Sequence, residues 1–204
     1  MDILYTMNDG YIPQVAASMM SVLDHNNWAP INFHVFSLGI SRENIQKLEK
    51  MLQERGASLT VYEIGNIRER IDFPVDTNGF HISVLARLFT GSILPEHVEK
   101  VLYLDGDTIV LDSLEELWEM DMGDSPIAMR ANATTELERK KKLGMSPEIL
   151  YCNAGVIFFD LKKWRAERGE EKVFDYYQKH NGNLFANDQD ALNGAFAGRI
   201  KFLP

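Results

Sequence analysis

Between Lys100 and Leu111 the chain reads K-V-L-Y-L-D-G-D-T-I-V-L, an apolar run that stops on a carboxylate. Val101–Leu104 is short, β-rich and uninterrupted, the pattern of a strand buried on both faces of a sheet. Asp105 ends it, Gly106 follows, Asp107 is a second carboxylate, and Thr108–Leu111 return to β-branched and apolar character. Two ionised carboxylates are costly inside such an element, so they are expected at its carboxyl end, where an open α/β sheet gathers ligands. Asp-x-Asp keeps like charges close, and they repel unless a cation lies between them. An oxygen-only site suits Mg2+ or Mn2+. Gly106 lets backbone or ligand approach without a Cβ in the way. The competing reading is a strand that ends in an ordinary polar turn, where Asp and Gly are common.

The segments before this run alternate strand and helix patterns. Ile3–Met7 reads as a buried strand, and Asn8-Asp9-Gly10-Tyr11 as a turn. Pro13 suits the first turn of a helix to about His25, with Val15, Met19, Val22 and Leu23 on its apolar side. Ile31–Leu38 predicts a half-buried strand. Ser41 then caps a helix with the stripe Ile45, Leu48, Met51 and Leu52, Gly56 stops it, and Leu59–Ile64 is a third strand. This order implies a doubly wound α/β architecture with a mostly parallel central sheet and flanking helices. No G-x-G-x-x-G or G-x-x-x-x-G-K-[ST] occurs, which argues against a dinucleotide fold or a P-loop.

Further along, Ile67–Asn78 is irregular and His81–Leu94 has helical spacing. Arg87 lies inside that apolar segment, and a buried guanidinium needs an anion, either an aspartate or a ligand phosphate. Leu114–Met120 predicts a short helix and Pro126–Arg130 a strand. Arg139-Lys140-Lys141-Lys142 reads as a solvated helix face, with contact to an anionic membrane surface as the minor alternative. Val156–Phe159 is strongly apolar; Asn153 at its entry either closes a turn or holds a polar ligand, and Cys152 is a small buried residue rather than a reactive thiol. Val173–His180 is helical. Asn187-Asp188-Gln189-Asp190 opens a last helix with Asp188 as a candidate cap. His34 is expected to point outward or to be a satisfied core histidine.

The chain has 204 residues, 45% of them hydrophobic, enough for one substantial domain across 1–204. A net charge of -9 leaves no phosphate-facing basic excess, which disfavours nucleic acid as a partner. The same charge is awkward for an anionic nucleotide, which makes a bound cation the natural local inversion of sign. One cysteine excludes an internal disulfide and a multi-cysteine zinc site. The start of the chain enters a strand pattern directly, with no signal core, and no window is long enough to cross a bilayer. A cytoplasmic location is expected.

Taken together, five stretches resemble glycosyltransferase family 8, the retaining, nucleotide-sugar-dependent enzymes of the GT-A fold that include lipopolysaccharide galactosyl- and glucosyltransferases and glycogenin. They are Met1–Ile3 through Asn8–Tyr11; His81–Ser83 with Ala86–Leu88; Val101–Asp107; Tyr151–Gly155 with Leu161–Trp164; and Asp188–Asp190 with Leu192-Asn193. The resemblance implies a Rossmann-like nucleotide-sugar fold, a UDP-hexose donor and an acceptor that is a glycan, lipid-linked or protein hydroxyl. It implies Thr6, Asn8, Asp9 and Tyr11 around uracil and ribose, Arg87 near the donor, and Gly106 between the two carboxylates of the donor site. Asp105 and Asp107 would bind Mn2+ (or Mg2+) and, through it, the diphosphate. Asn153 and Ala154 would lie near the transferred hexose, with Asp188 and Gln189 at the reacting sugar. An amide at the position facing the anomeric carbon is a poor nucleophile, so front-face substitution is expected, with double displacement through Asp188 as the alternative. Family members carry a later H-x-x-G-x-x-K-P-W-like segment with a third metal ligand and a phosphate-binding lysine. This sequence has no such segment, so either the chain is a fragment of a longer protein or metal and donor affinity are weakened, and poor turnover, or a sugar-nucleotide-binding module without catalysis, is expected of it alone. A phosphohydrolase of the haloacid dehalogenase type also places two aspartates after a strand, but its D-x-D-x-[TV] is not matched by Asp105-Gly106-Asp107-Thr108-Ile109.

Overall fold

In the computed structural model, which describes residues 1–203, the first part of the chain alternates as the sequence predicts. It runs β1 (Asp2–Met7), α1 (Ile12–His25), β2 (Asn32–Ser37), α2 (Arg42–Gln53) and β3 (Ser58–Glu63). Ser41 Oγ accepts from Asn44 N to open α2. Gly56, at φ 73°, closes it, because the left-handed turn lets Ala57 N reach back to Leu52 O. Beyond a 3-10 helix over Ile82–Phe89 come α3 (Thr90–Ile93), β4 (Lys100–Leu104), α4 (Glu115–Trp118), β5 (Ile127–Ala131) and α5 (Leu137–Lys142). The chain continues with β6 (Cys152–Asp160), α6 (Leu161–Ala166), α7 (Gly169–Lys179), α8 (Asn187–Ala195) and β7 (Lys201–Phe202).

All seven strands join one sheet in the order β3-β2-β1-β4-β6-β5-β7. The β1, β2, β3 and β4 pairings are parallel, whereas β6 runs antiparallel to both β4 and β5. Successive residues of the central strands feed opposite cores. In β4, Val101 and Tyr103 pack with Leu4, Leu85 and Phe159 on one face, while Leu102 and Leu104 pack with Ile3, Val15 and Met19 on the other. This two-sided burial is the reason the strands read as near-continuous apolar runs.

Three local expectations change, and the strand before Asp105 ends where it is expected to. Phe33–Ser37 of β2 is buried on both faces rather than half buried, since β1 and β3 flank it within the sheet and both cores use its side chains. His34 is satisfied there between Tyr62 Oη (3.1 Å) and Asp2 Oδ1 (3.0 Å). The strand through Val101 does not resume after Gly106: Thr108 N and Oγ1 both donate to Asp105 O, forming a turn that leaves Ile109 and Leu111 exposed. The segment after His81 is a 3-10 helix, whose three-residue turn stacks Ile82, Leu85 and Leu88 on one side. The basic run is only partly solvated. Lys140 is buried, donating to Pro147 O (2.6 Å) and Ile149 O (3.1 Å), and the Arg139 guanidinium lies over Tyr151 and Phe185, at 5.3 and 5.2 Å.

The sheet's topology decides what meets at the carboxyl ends of its central strands. Because β1 and β4 are parallel, Asn8 and Asp105 leave the sheet at the same end. Because β6 is antiparallel to β4, its entry residues return to that end, and Asp105 N donates to Gly155 O at 2.8 Å. α8 is anchored beside them through Phe196, which stacks on Trp164, itself edge-on to Phe159. Gly91 and Gly169 make the space for that indole; a Cβ on Gly169 would stand 2.5 Å from it. Gly169→Ala is therefore expected to cost about 1–3 kcal/mol by overpacking, read as a lower urea midpoint at unchanged slope. An unaltered midpoint would show that the indole has room to move.

Candidate functional site

Arg87 reaches the carboxyl end of β4 from the 3-10 helix and is only 8% exposed. Its Nη1 donates to Ala154 O (2.8 Å) and lies 2.9 Å from Asp105 Oδ1. Its Nε is 3.3 Å from Asp188 Oδ2, but the N–H is not aligned for a hydrogen bond, so this contact is an ion pair alone. The guanidinium carbon lies 4.2 Å from the centre of the Tyr103 ring. Tyr103 donates to Asp105 Oδ1 at 2.7 Å, and Thr6 Oγ1 is 3.3 Å from the same phenol. One cation thus ties the 3-10 helix to β4, to the entry of β6 and to α8.

The charges follow from this arrangement. Burial works against the guanidinium, but Tyr103, Asp188 and Asp105 outweigh it and Arg87 stays charged. Burial raises the Tyr103 phenol well above its ordinary range, keeping it a donor. Asp188, 7% exposed, is pushed up to about 6 by burial, with Asp105 adding to the rise and Arg87 opposing it. The cap expected of Asp188 is absent: α8 has no side-chain N-cap, Asp188 is spent on Arg87, and Ala186 N instead donates to Asp190 Oδ2 at 2.8 Å.

Two cavities adjoin at Arg87. The first, about 280 Å³, is lined by Thr6, Asn8, Tyr11, Arg87, Asp105, Gly106 and Asp107, together with Tyr103, Phe80, His81, Ser83 and Val84. The second, about 200 Å³, is lined by Asn153, Ala154, Asp188 and Gln189 and shares Phe80, Val84, Arg87 and Asp105 with the first. Of the candidate residues, only Asp9 lies outside both. Its Oδ1 accepts from Ser41 N (2.8 Å) and Asn44 Nδ2 (3.0 Å), pinning the start of α2. Asn153 does both things its position allowed: Oδ1 accepts from Gly155 N to close the turn, and the residue lines the second cavity. A larger cavity of about 500 Å³ lies behind Asp190, among Glu136, Arg139, His180 and Phe185, away from this carboxylate pair.

Asp107 is exposed and has no ion pair or hydrogen bond among the described residues, whereas Asp105 has one oxygen committed to Tyr103 and Arg87. No group of three or more His, Cys, Asp or Glu side chains converges among the described residues. Sequence reading passed over Tyr103 and Phe80 as cavity walls. Tyr103 was within reach, since it stands two residues before Asp105 on the same strand face.

The chain as a whole is similar to known proteins. The model for glycosyl transferase family 8 matches residues 2–204, and the chain belongs to that family. The galactosyltransferase LgtC, solved with donor and acceptor sugar analogues, superposes with a TM-score of 0.88 at 31% identity, covering 99% of this chain and 73% of that one. The fold is accordingly that of the GT-A glycosyltransferases. A putative glycosyltransferase of Haemophilus influenzae is 27% identical over 206 residues, and the lipopolysaccharide 1,2-glucosyltransferase of Escherichia coli K12 is 23% identical. Both matches cover 100% of this chain but only 61% and 60% of those proteins, so the chain spans about three-fifths of their length.

The raised Asp188 makes a stability prediction with a definite sign. Its folded form holds a proton more tightly than the unfolded chain, so its contribution is fully present below the ordinary carboxylate range and is lost as pH rises from about 4 to about 6. Across that window the wild type is expected to lose on the order of 2–3 kcal/mol of unfolding free energy in urea relative to Asp188→Asn. The same pH slope in both proteins would contradict the assignment.

Proposed function

We propose that the chain is a single GT-A domain of a retaining glycosyltransferase that moves a hexose, galactose or glucose, from a UDP-sugar to an acceptor hydroxyl. The observation that carries this reading is the pair of adjoining cavities that share Arg87 and Asp105 at the carboxyl ends of β1 and β4. In this reading the first cavity takes uracil and ribose against Thr6, Asn8 and Tyr11, the diphosphate lies at the shared wall beside Arg87, and the hexose enters the second cavity beside Asn153, Ala154, Asp188 and Gln189. The acceptor is a glycan or a lipid-linked or protein hydroxyl; the lipopolysaccharide glucosyl- and galactosyltransferases among the relatives favour the lipid-linked glycan. This suits a cytoplasmic protein, peripheral at the inner face of a membrane. No helix among the described residues is long and apolar enough to cross one.

Asp105 and Asp107 would hold Mn2+ or Mg2+. The oxygen-only donors fit a hard cation, and Asp107 is an exposed carboxylate with no partner to displace among the described residues. When bound, such an ion neutralises charge on the departing diphosphate. The residues themselves do the rest. Arg87 orients the donor and opposes its negative charge, while the walls of the second cavity exclude water from the anomeric carbon. Front-face substitution is favoured because neither candidate behind the sugar is a free nucleophile: Asp188 is buried against Arg87, and the Gln189 amide is engaged at both ends. The bond from the anomeric carbon to the diphosphate oxygen breaks, the acceptor oxygen bonds to the same face, and the leaving phosphate takes the acceptor's proton.

UDP release from UDP-galactose and UDP-glucose, with UDP binding measured alongside, tests this reading. Divalent-dependent release that Asp107→Asn lowers by at least about 100-fold is expected. Tight UDP binding without release from any UDP-sugar would favour a binding module, and release indifferent to chelator and to Asp107→Asn would overturn the proposed site.

A further inference from the structure

Gln189 is not a freely rotating amide. Its Oε1 accepts from Ala154 N (3.0 Å) and its Nε2 donates to the Tyr151 hydroxyl (3.1 Å). Tyr151 in turn donates to Asp190 Oδ1 at 2.5 Å, and Asp190 Oδ2 accepts from Ala186 N. Tyr151 and Asp190 are each 1% exposed, and neither lines the cavity that Gln189 lines.

The direction of every link is forced. A backbone N–H can only donate, so the amide atom facing Ala154 must be the oxygen. A carboxylate can only accept, so the single phenolic proton goes to Asp190, and the Tyr151 oxygen is left to accept from Nε2. Burial, reinforced by Asp190, raises the phenol far enough that it keeps that proton. The two ends of the amide are therefore constrained independently, and they agree. A flipped amide would set N–H against N–H at Ala154 and turn its oxygen toward a hydroxyl whose proton is already committed.

We propose that Tyr151 and Asp190 are positioning residues that lock Gln189 in one of its two amide orientations. The amide oxygen is held at the Ala154 wall of the second cavity and the nitrogen is drawn back toward the buried phenol. The inference rests on the hexose reading of that cavity for its consequence: a carbonyl oxygen stabilises positive charge developing at a sugar carbon, and an N–H there opposes it. The lock itself does not depend on that reading.

Tyr151→Phe removes the hydroxyl that selects the nitrogen. Asp190→Asn lets residue 190 donate to the phenol and frees the phenolic proton to face Gln189, so it loses the same selection while keeping the shape. Each is expected to lower kcat for UDP-sugar hydrolysis about tenfold with donor KM changed less than about threefold, and the double variant is expected to fall no further. In 15N-glutamine-labelled protein, the Gln189 Nε2 protons are expected to be protected from exchange, and both variants to lose that protection. Additive kinetic losses, or unchanged kcat with protection retained, would overturn the lock. If wild-type protein hydrolyses no UDP-sugar, the proposed function fails, and the exchange experiment still decides the lock. Should Tyr151→Phe not fold, Asp190→Asn alone carries both readouts.

Discussion

A guanidinium buried at the carboxyl ends of the central strands is tolerable only if anions and acceptors surround it, and the site is built around that requirement. Arg87 meets Asp105 from β4, Asp188 from α8, the carbonyl of Ala154 from β6 and the face of Tyr103. These contacts join elements that are far apart in sequence into one wall. They also leave the carboxylates unequal. Asp105 is committed to protein partners through one oxygen, Asp188 is buried and pushed up to about 6, and Asp107 stays exposed and unpaired among the described residues. Three acidic groups in one cleft thus have three environments, and so three different chemical dispositions.

The topology makes this convergence possible. Parallel β1 and β4 deliver the Asn8 turn and the Asp105 turn to the same end, and the antiparallel β6 brings Asn153 and Ala154 back beside them. Had β6 run parallel, its entry residues would lie at the opposite end of the sheet. α8 reaches the same place because Phe196 stacks on Trp164, which meets Phe159 edge-on, in one aromatic cluster under it. Close glycine contacts at residues 91 and 169 accommodate the indole.

Much of this is legible in the sequence, because local patterns report local structure. Val101–Leu104 ends on Asp105 as its composition predicts, Ser41 and Gly56 bound α2, and Arg87 needs anions wherever it lies. What periodicity does not carry is the identity of distant partners. That Arg87 pairs with Asp188 depends on 3D contact across half the chain, so Asp188 reads as a helix cap until the fold shows its carboxylate elsewhere. Lys140 looks like one more solvated lysine, because its carbonyl partners lie in the following loop. Asp9 matches the donor turn by position, yet its oxygen is used to start α2. The antiparallel sense of β6 is likewise invisible in an apolar run that would suit either direction.

The central claim is that one arginine serves both compartments of the cleft, and calorimetry of uridine and of a UDP-hexose with wild-type and Arg87→Lys protein tests it most directly. A lysine offers a point charge in place of a planar fork and cannot meet Asp105, Ala154 and Asp188 together. The account predicts that the substitution weakens UDP-hexose binding at least about tenfold more than uridine binding. Equal weakening of both ligands, or no change in either, would contradict it.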